Sequence, residues 1–503
     1  MKIEKITGII LAVAFLMSCS SENTSNNIFV NDFKTTNEAA NTLTKEEMNV
    51  LYKMREPNNR VSGTEIVKLI DNVIGILDED TGLKSGNGRK VGSILPLVSE
   101  NFKTIALKSG EDPDIEIPDT LAYVVNFEDE LGFAIISADT RVDQPILGFF
   151  DNGSLKDTID NPGLAIALEG LENYMLYSIV EAEEQKDSLL DGILEKTGNE
   201  EQVKSSVPVI SFEITSIDYK ILNHIGPLLP VEWGQGAPYN NNVGGTCSNK
   251  TGNNKYWAGC VATSVAQIMA YWKYPAKIDN DSFNWIEMNK YRSVSNPNSY
   301  LGTISFNINQ APTTVKSQIA ALFQKIGTGV KMNYSCEESG AATSEAVNFL
   351  KKQGYKSEDL KDFDKNTVIA SLLKKRPLLA EGFSFMNTNT KIIKKEKKFF
   401  GITYYTSYTT KTDTTYSAGH SWIMDGLLRR EMKTTVKSNG KLTENITVSD
   451  YVHNNWGWGS SRNGFFAIGA FNSNQAPDFA SNTKSGEDYN FQYKVKVVPN
   501  IYK

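Results

Sequence analysis

One stretch of the chain combines a helical hydrophobic period with a turn of small residues just before it. Ala258 and Gly259 lead into Cys260, and Pro275 marks the end of the periodic segment. The apolar positions recur at i, i+4, i+7, i+8 and i+11, namely Val261, Val265, Ile268, Met269 and Trp272. This spacing predicts a helix that buries one face and has Cys260 in its first turn.

A cysteine in the first turn of a helix has a chemical advantage as a nucleophile. Free backbone N–H groups and the positive end of the helix dipole favour the thiolate, which is the nucleophilic form. The alternative is that Cys260 packs as a small hydrophobic residue in a core. The pattern around Cys260 leaves both interpretations open.

The N-terminal half of the chain shows strand patterns followed by a helix pattern. Leu121–Phe127 and Phe133–Ser137 predict two strands joined by a turn, and Pro145–Phe150 predicts a third. A helical pattern begins after Pro162, with apolar residues at Leu164, Leu168, Leu171, Met175 and Ile179. The charged and polar residues 181–207 predict the tail of this helix and then an exposed connector.

The C-terminal half places helices first and strands second. Residues 314–326, 344–352 and 366–375 predict helices, while 399–415 predicts a hairpin and 421–425 and 463–468 predict strands. This order favours an α+β fold over a repeated βαβ unit. The patterns divide the chain into a globular unit over 45–205, an exposed connector over 206–222 and a second globular unit over 223–503.

The N-terminus has the pattern of an export signal. Lys2 and Lys5 precede the apolar run Ile9–Met17, which is too short to be a typical membrane-spanning helix. Residues 16–19 resemble the lipobox of bacterial lipoproteins, so 1–18 would be a signal peptide and Cys19 would carry the lipid. A plain secretory signal with an incidental Cys19 is the alternative. Residues 19–44 are rich in Asn, Thr and Ser and predict a flexible tether.

Composition limits the classes of function. The 503 residues are 40% hydrophobic and 22% charged, with a net charge of −7, so packed cores are expected and nucleic-acid binding is not. The 3 histidines, His224, His420 and His453, form no metal-binding pattern with one another. We therefore expect neither a metal nor a cofactor.

The remaining two cysteines have two possible states. With Cys19 assigned to lipid and Cys260 to chemistry, Cys247 and Cys336 are left in a compartment that permits disulfides. They form either a disulfide or two separate thiols.

Two further segments carry groups that suit cysteine chemistry. His420 follows small residues and precedes an apolar strand, so its imidazole is placed to take the proton of a nearby thiol. Asn455 opens the segment Asn455–Gly459, and its carbonyl is suited to accept from the imidazole N–H. The alternatives are a structural histidine and a glycine-rich aromatic turn in a core.

Taken together, these segments resemble the streptopain family of cysteine peptidases. The motifs of that family appear in order at Gly234–Asn240, Ala258–Thr263, Gly419–Gly426 and Asn455–Gly459. In the N-terminal half, the segments 122–126 and 132–137 resemble the inhibitory pro-domain of the same family. Each motif is weak alone, but four in order are specific.

The resemblance implies a papain-like catalytic domain, with a helical part and an antiparallel β part, preceded by a smaller α+β pro-domain. It also implies site roles. Cys260 would be the nucleophile, and His420 the general base and then acid. Asn455 would orient His420, Trp456 would shield the pair, and the Gln235 side chain would donate to the oxyanion.

The chain departs from the family pattern in two places. Met386–Ser417 is a basic and aromatic insertion just before His420, and it predicts a β-hairpin near the active site. Cys336 stands in a loop where streptopain has no cysteine. Both differences fall near the expected cleft, so a family substrate preference is not carried over.

The sequence therefore predicts an exported cysteine endopeptidase made as a zymogen. Its expected partners are protein or peptide substrates, its own pro-domain as inhibitor and the outer membrane through a lipid on Cys19. It would face the periplasm or the cell surface, with release after processing as a further option. Lys204 and Lys220 are the candidate processing sites. Two alternatives remain open, namely a cysteine acyltransferase or amidase on the same fold and a non-catalytic peptide-binding lipoprotein.

Overall fold

The computed structural model describes most of the chain between residues 44 and 503. The described residues are 2–3, 44–54, 59–81, 88–98, 104–105, 115–116, 120–155, 161–197, 213–248, 252–294, 304–383, 386–399, 402–416, 419–438, 441–459, 462–472 and 495–503. Cys19, Lys204, the tether, residues 4–18 and residues 206–212 of the connector lie outside them, so the predictions made there remain predictions. Among the described residues, no helix is both long and apolar enough to span a bilayer.

The helices and longer strands are numbered here in chain order. The helices are α1 (Lys45–Lys53), α2 (Gly63–Thr81), α3 (Pro162–Thr197), α4 (Cys260–Trp272), α5 (Trp285–Met288), α6 (Thr313–Gly329), α7 (Thr343–Lys352) and α8 (Lys365–Leu373). The strands are β1 (Val91–Val98), β2 (Thr120–Phe127), β3 (Phe133–Ser137), β4 (Ile146–Phe150), β5 (Glu213–Ile225), β6 (Leu378–Phe383), β7 (Met386–Phe399), β8 (Ile402–Tyr416), β9 (Gly419–Ser438), β10 (Lys441–Asn455), β11 (Gly464–Ala467) and β12 (Lys496–Val498).

Short elements complete the secondary structure of the described residues. Three-residue or four-residue 3₁₀ helices lie at Glu128–Glu130, Ile308–Gln310 and Ile468–Phe471. Three small antiparallel pairs stand apart from the large sheet: Thr104–Ile105 with Ile115–Glu116, Lys277–Ile278 with Asp281–Ser282, and Arg292–Val294 with Ile304–Phe306.

A single antiparallel sheet runs through both halves of the chain. Its order is β1, β2, β3, β4, β11, β10, β9, β6 and β12, with Lys2–Ile3 beside β1, Lys361–Asp362 beside β12, and β5 paired to the far part of β9. The junction is the pairing of Phe149 with Phe465 and of Gly148 with Phe466. The N-terminal unit therefore extends the sheet that carries the candidate catalytic histidine.

The hydrophobic core is also shared between the two units. Apolar residues of α3, including Leu164, Leu168 and Leu171, belong to one buried cluster with Trp422 and Trp456. On the other face, α2 packs with β3, β4, β5 and the outer half of β9. Because burial of apolar surface is the main stabilising term, the two units support each other's folding.

Helix α4 lies in a separate cluster with α6 and α7. The sequence predicted one buried stripe, but all ten residues from Val261 to Ala270 are buried. The helix is therefore enclosed on every side by α6, α7 and the sheet. Such enclosure fixes the position of its first residue, Cys260.

The structure confirms the predicted α+β class, with helices packed on an antiparallel sheet. The three N-terminal strands, the helix after Pro162 and the later helices are present, with ends that differ by a few residues. The insertion forms the predicted hairpin from β7 and β8, in a register that pairs Met386 with Tyr416. This hairpin leaves the sheet beside His420, because Phe383 pairs with Gly419.

One segment differs from its prediction. Residues 213–225 form strand β5, which is hydrogen-bonded along β9, where the sequence predicted an exposed connector up to residue 222. Apolar and polar residues alternate only weakly along β5, whose side chains are half-buried or exposed. The strand forms because the long β9 provides an edge with which it can hydrogen-bond. Lys220 pairs with Glu431 inside this strand.

Of the two states that the sequence leaves open for the spare cysteines, the structure has the disulfide. Cys247 and Cys336 form a disulfide with their Cα atoms 5.6 Å apart. Cys260 is the free cysteine of the described residues.

Candidate active site

Cys260 is the first residue of α4, as predicted. The residue before it, Gly259, has a φ of 91°, a backbone conformation that side chains disfavour. The peptide before Gly259 is tied down, since the N–H of Ala258 donates to the backbone carbonyl of Gln235 at 2.9 Å. These constraints fix the Cys260 side chain at a defined place beside Gln235.

The thiol of Cys260 is not in the activated form that its helix position favours. Burial raises its pKa and is the largest influence, although the backbone N–H groups of Ser421 and Val261 act in the opposite direction. The charge of Glu338 adds to the rise. In this state the sulfur is therefore a neutral thiol at physiological pH, despite the helix N-terminus.

His420 lies in β9, opposite Gly382 of β6, with 4% of its surface exposed. Its Nε2 is 2.8 Å from the backbone carbonyl oxygen of Trp456. A carbonyl only accepts, so Nε2 carries the proton and donates. Burial lowers the His420 pKa to about 4, and the bond to Trp456 opposes this only in part. The imidazole is therefore neutral at physiological pH.

Asn455, the last residue of β10, has hydrogen-bond partners other than His420 in this arrangement. Its carbonyl oxygen accepts from Gln267 Nε2 at 3.1 Å and from the Gly457 N–H at 3.1 Å. Its amide donates to the Val231 carbonyl at 3.4 Å. The structure thus brings Asn455 to the site but bonds His420 to the carbonyl of the neighbouring residue.

Gln267 is a central polar residue that the sequence analysis missed. It is fully buried in α4, accepts from the Trp233 N–H through Oε1 at 2.9 Å and donates to Asn455. It therefore links the segment before Gln235, the nucleophile helix and the Asn455 turn. A long polar side chain inside a largely apolar helix, two turns after Cys260, was the available signal.

The other two predicted site residues lie close to this group. Gln235 is buried, and its backbone carbonyl accepts the N–H of Ala258, two residues before the nucleophile. Trp456 is fully buried, with its indole N–H bonded to the Arg462 carbonyl at 2.8 Å and its ring 5.5 Å from that of Trp422.

The N-terminal unit reaches this site through Gly163 of α3, a second residue that the sequence analysis missed. A Cβ atom built on Gly163 would lie 2.3 Å from a ring carbon of Trp456 and 2.8 Å from Cδ2 of His420. The backbone at the start of α3 therefore packs directly on both rings. Asn161 fixes this end of the helix by accepting the Leu164 N–H at 3.1 Å. A glycine after Pro162 was the only sequence signal.

Glu232 is a buried carboxyl next to the predicted oxyanion segment. Its Oε1 accepts from Asn463 at 3.0 Å, and Asn463 in turn accepts the Trp456 N–H at 3.0 Å. Burial raises the pKa of Glu232 to about 8, with a smaller contribution from Asp151 of the N-terminal unit. The carboxyl is therefore mostly protonated at neutral pH. Among the described residues, no cluster of His, Cys, Asp and Glu side chains is suited to a metal ion.

Two segments of the chain match known protein families, and both contain residues of this site. Residues 233–466, which contain Cys260, His420 and Asn455, match the Peptidase C10 family. Residues 104–175, which contain Gly163, match the Spi protease inhibitor family. The resemblance to streptopain and to its inhibitory pro-domain is thereby confirmed, and the two matches support a cysteine peptidase with an inhibitor-type propeptide domain.

Curated relatives have low sequence identity to this chain. Streptopain of Streptococcus pyogenes serotype M28 (strain MGAS6180) is 24% identical over 381 residues, which cover 71% of this chain and 76% of that protein. The thiol protease/hemagglutinin PrtT of Porphyromonas gingivalis is 22% identical over 369 residues, which cover 71% of this chain and 35% of that protein.

Two solved structures from Prevotella intermedia also match. A prointerpain A fragment aligns with a TM-score of 0.43 and 19% identity, over 77% of this chain and 98% of that one. Active interpain A aligns with a TM-score of 0.33 and 19% identity, over 56% of this chain and 97% of that one.

We predict that Gln267→Met destabilises the fold. Methionine fills a similar volume but leaves the buried Trp233 N–H without its acceptor, which costs about 1–3 kcal/mol. Urea unfolding of the full chain measures the change. Ser264→Ala is the matched control, because Ser264 is buried on the same helix and its hydroxyl makes no hydrogen bond within the described residues. Equal loss in both variants would contradict the linking role of Gln267.

We predict that Glu232→Gln removes a pH-dependent loss of stability. A carboxyl with a folded pKa of about 8 and an ordinary value of 4.5 stabilises the fold below pH 4.5, and this contribution is lost as the pH rises through 8. At pH 8 the glutamine variant should be more stable than the wild type by about 1 kcal/mol or more, because each unit of pKa shift corresponds to 1.36 kcal/mol. Melting curves from pH 4 to 9 test this, with exposed Glu213→Gln as control. Parallel curves for wild type and Glu232→Gln would contradict it.

Proposed function

We propose that this protein is an exported cysteine endopeptidase made as a latent precursor, in which the N-terminal unit inhibits the catalytic unit. The observation that carries the proposal is the position of Cys260 at the N-terminus of α4, beside the strand that holds His420. The match of residues 233–466 to the peptidase C10 family supports the same chemistry.

The proposed reaction is hydrolysis of a peptide bond through an acyl-enzyme. His420 takes the proton of the Cys260 thiol, the resulting thiolate attacks the carbonyl carbon, and the electron pair of the C=O bond moves to oxygen. Return of that pair breaks the C–N bond, and His420 gives its proton to the leaving amine. Water then attacks the thioester while His420 takes its proton, which releases the carboxylic acid and the free thiol.

The remaining site residues have proposed supporting roles. The Gln235 side chain and the Cys260 backbone N–H would donate to the oxyanion. Asn455 would accept the Nε2 proton of His420 and hold the ring in the reactive tautomer. Trp456 would cover that bond and exclude water from it.

Latency is supported by the electrostatic state of the Cys260 and His420 pair. A reactive pair needs the imidazole to take the thiol proton and stabilise the thiolate. Here the pKa of Cys260 is raised, the pKa of His420 is lowered to about 4, and the Nε2 proton is donated to the Trp456 carbonyl. Both groups are then neutral, so the thiolate form of Cys260, which is the nucleophile, is absent.

The N-terminal unit is the proposed cause of this state. Gly163 packs on the rings of His420 and Trp456, while Ile166 packs against Gly382, the residue opposite His420. These contacts bury His420 and press it toward the Trp456 carbonyl. Removal of α3 would let water reach the imidazole and would give the ring room to move. Solvation would raise the pKa of His420, and the ring could then approach Cys260.

Activation would require cutting between the two units. Lys220 lies within β5 and pairs with Glu431, so a protease reaches it only after the strand leaves the sheet. We therefore favour a cut before residue 213, where Lys204 is the candidate from the sequence.

The proposed location rests on the N-terminal sequence alone. Lys2, Lys5 and the apolar run Ile9–Met17 suit an export signal, and Cys19 suits lipid attachment. The protein would be held at the outer membrane by this lipid, facing the periplasm or the cell surface.

We predict that Cys260→Ala abolishes hydrolysis of a denatured protein substrate and leaves the fold intact. The alanine lacks the sulfur that forms the acyl-enzyme, whereas its small side chain fits the same place. Cleavage by the processed wild-type chain, with and without a thiol alkylator, is compared with that of the variant by mass spectrometry. Alkylator-resistant cleavage would exclude Cys260 as the nucleophile, and a product that carries an added amine would identify a transferase instead.

We predict that Gly163→Ala partly relieves latency in the uncut chain. The added methyl group would clash with Trp456 and His420, so α3 must move away from both rings. The uncut variant should then react with iodoacetamide at Cys260 about 10-fold faster at pH 7 than the uncut wild type, which corresponds to about one pKa unit. The rate of mass gain on Cys260 is the measurement, and peptide cleavage is a second readout.

Gly63→Ala provides a matched control for this experiment. Gly63 is the first residue of α2 in the same unit, and a Cβ there meets no atom within 4 Å. It should leave the alkylation rate unchanged. Equal rates in wild type, Gly163→Ala and Gly63→Ala, with every chain shown to be uncut and folded, would refute inhibition through α3.

A further inference from the structure

The loop 333–340 is a compact structure beside the nucleophile. Its base is closed by a pair of backbone hydrogen bonds between Asn333 and Gly340, at 2.9 and 3.1 Å. Inside the loop, the Ser335 N–H donates to Ser339 Oγ at 3.0 Å, and the Glu338 N–H donates to Ser335 Oγ at 3.1 Å. These bonds give the loop a fixed shape.

This loop packs on the residues that precede Cys260. The Trp257 N–H donates to the Ser335 carbonyl at 3.3 Å. A Cβ built on Gly259 would lie 2.9 Å from the Ser339 carbonyl oxygen, so the loop touches the residue next to the nucleophile. The loop therefore forms one wall of the region in which a substrate meets Cys260.

The disulfide holds the loop from its outer side. Cys336 is joined to Cys247, which lies 89 residues away in sequence. Cys247 is itself buried, and its N–H donates to the Asn254 carbonyl at 2.7 Å. Opening the disulfide would release the outer side of the loop, while the hydrogen bonds at its base and to Trp257 would remain.

Glu338 brings a negative charge to this wall. Glu338 is exposed, yet the negative charge of its carboxylate acts on the Cys260 sulfur and raises the pKa of the thiol. A charge that reaches the sulfur also reaches a substrate side chain placed next to it. A cationic side chain would be attracted and an anionic one repelled.

We propose that Glu338 is a specificity-determining residue that favours substrates with a lysine or arginine side chain next to the cut, and that the Cys247–Cys336 disulfide holds it in place. This inference rests on the proposed peptidase function. Charge attraction at a partly exposed site contributes modestly, so the expected preference for Lys over Glu is about 5-fold to 10-fold in kcat/KM.

The first test uses matched peptides that differ only in Lys, Gln or Glu at each position flanking the cut. The processed enzyme should cleave the lysine peptide best at one of these positions. Glu338→Gln should lower the Lys-to-Glu ratio about 5-fold, whereas Glu337→Gln removes the same charge one residue away and should lower it less. High salt should reduce the preference in the wild type.

The second test opens the disulfide. Cys247→Ser with Cys336→Ser should lose most of the lysine preference, and adding Glu338→Gln to this background should change the ratio little. Intact-mass measurement serves as a control, to check that the disulfide of the wild-type enzyme survives the reductant used to protect Cys260. Additive effects of the disulfide and Glu338 would show that the disulfide does not position the charge.

A third measurement does not depend on peptide cleavage. In the uncut full chain, Glu338→Gln should shift iodoacetamide labelling of Cys260 to lower pH, because removal of a nearby negative charge favours the thiolate. An unchanged labelling profile overturns the placement of Glu338. Cleavage with an unchanged Lys-to-Glu ratio overturns the specificity proposal alone, whereas failure to cleave any peptide overturns the peptidase proposal and this one with it.

Discussion

The hydrogen bond from His420 Nε2 to the Trp456 carbonyl is the interaction on which the state of the site depends. It exists because α3 and the tryptophan rings enclose the imidazole, with Gly163 in contact with both partners. A buried imidazole must satisfy its N–H, and a backbone carbonyl is the nearest acceptor. The same enclosure removes water from the ring and keeps it neutral. Geometry and protonation state therefore have one cause.

The two units can exert this effect because they share a sheet and a core. The pairing of β4 with β11 continues the backbone ladder from one unit to the other. The apolar face of α3 packs into the cluster that contains Trp422 and Trp456. A contact as small as that of Gly163 is held in place by this much larger interface. The position of α3 is thus set by burial of apolar surface at a distance from His420, and the rings adapt to it.

The sequence predicted the elements that local patterns determine. Hydrophobic periodicity and the Pro and Gly residues at element ends were enough to predict three features: Cys260 at a helix start, the hairpin of the insertion and the helix after Pro162. Strand β5 escaped prediction because its pairing partner lies more than 200 residues away and its own alternation is weak. Gly163 and Gln267 were missed for the same reason, since their importance comes from what other segments place against them. The bond of His420 to Trp456 instead of Asn455 depends on tertiary packing that no motif records.

The geometry around Asn455 shows that His420 would need only a small change of hydrogen-bond acceptor to reach the proposed reactive arrangement. Its carbonyl oxygen already accepts two bonds, from Gln267 and from Gly457, and a carbonyl oxygen has two lone pairs. To accept His420 as well, it must share or release one of them. The Trp456 carbonyl, which now holds the imidazole, belongs to the next residue in the chain. In the proposed activation, transfer of the His420 N–H from the backbone carbonyl of Trp456 to the side chain of Asn455 would therefore be a local motion, and the enclosure by α3 would oppose it.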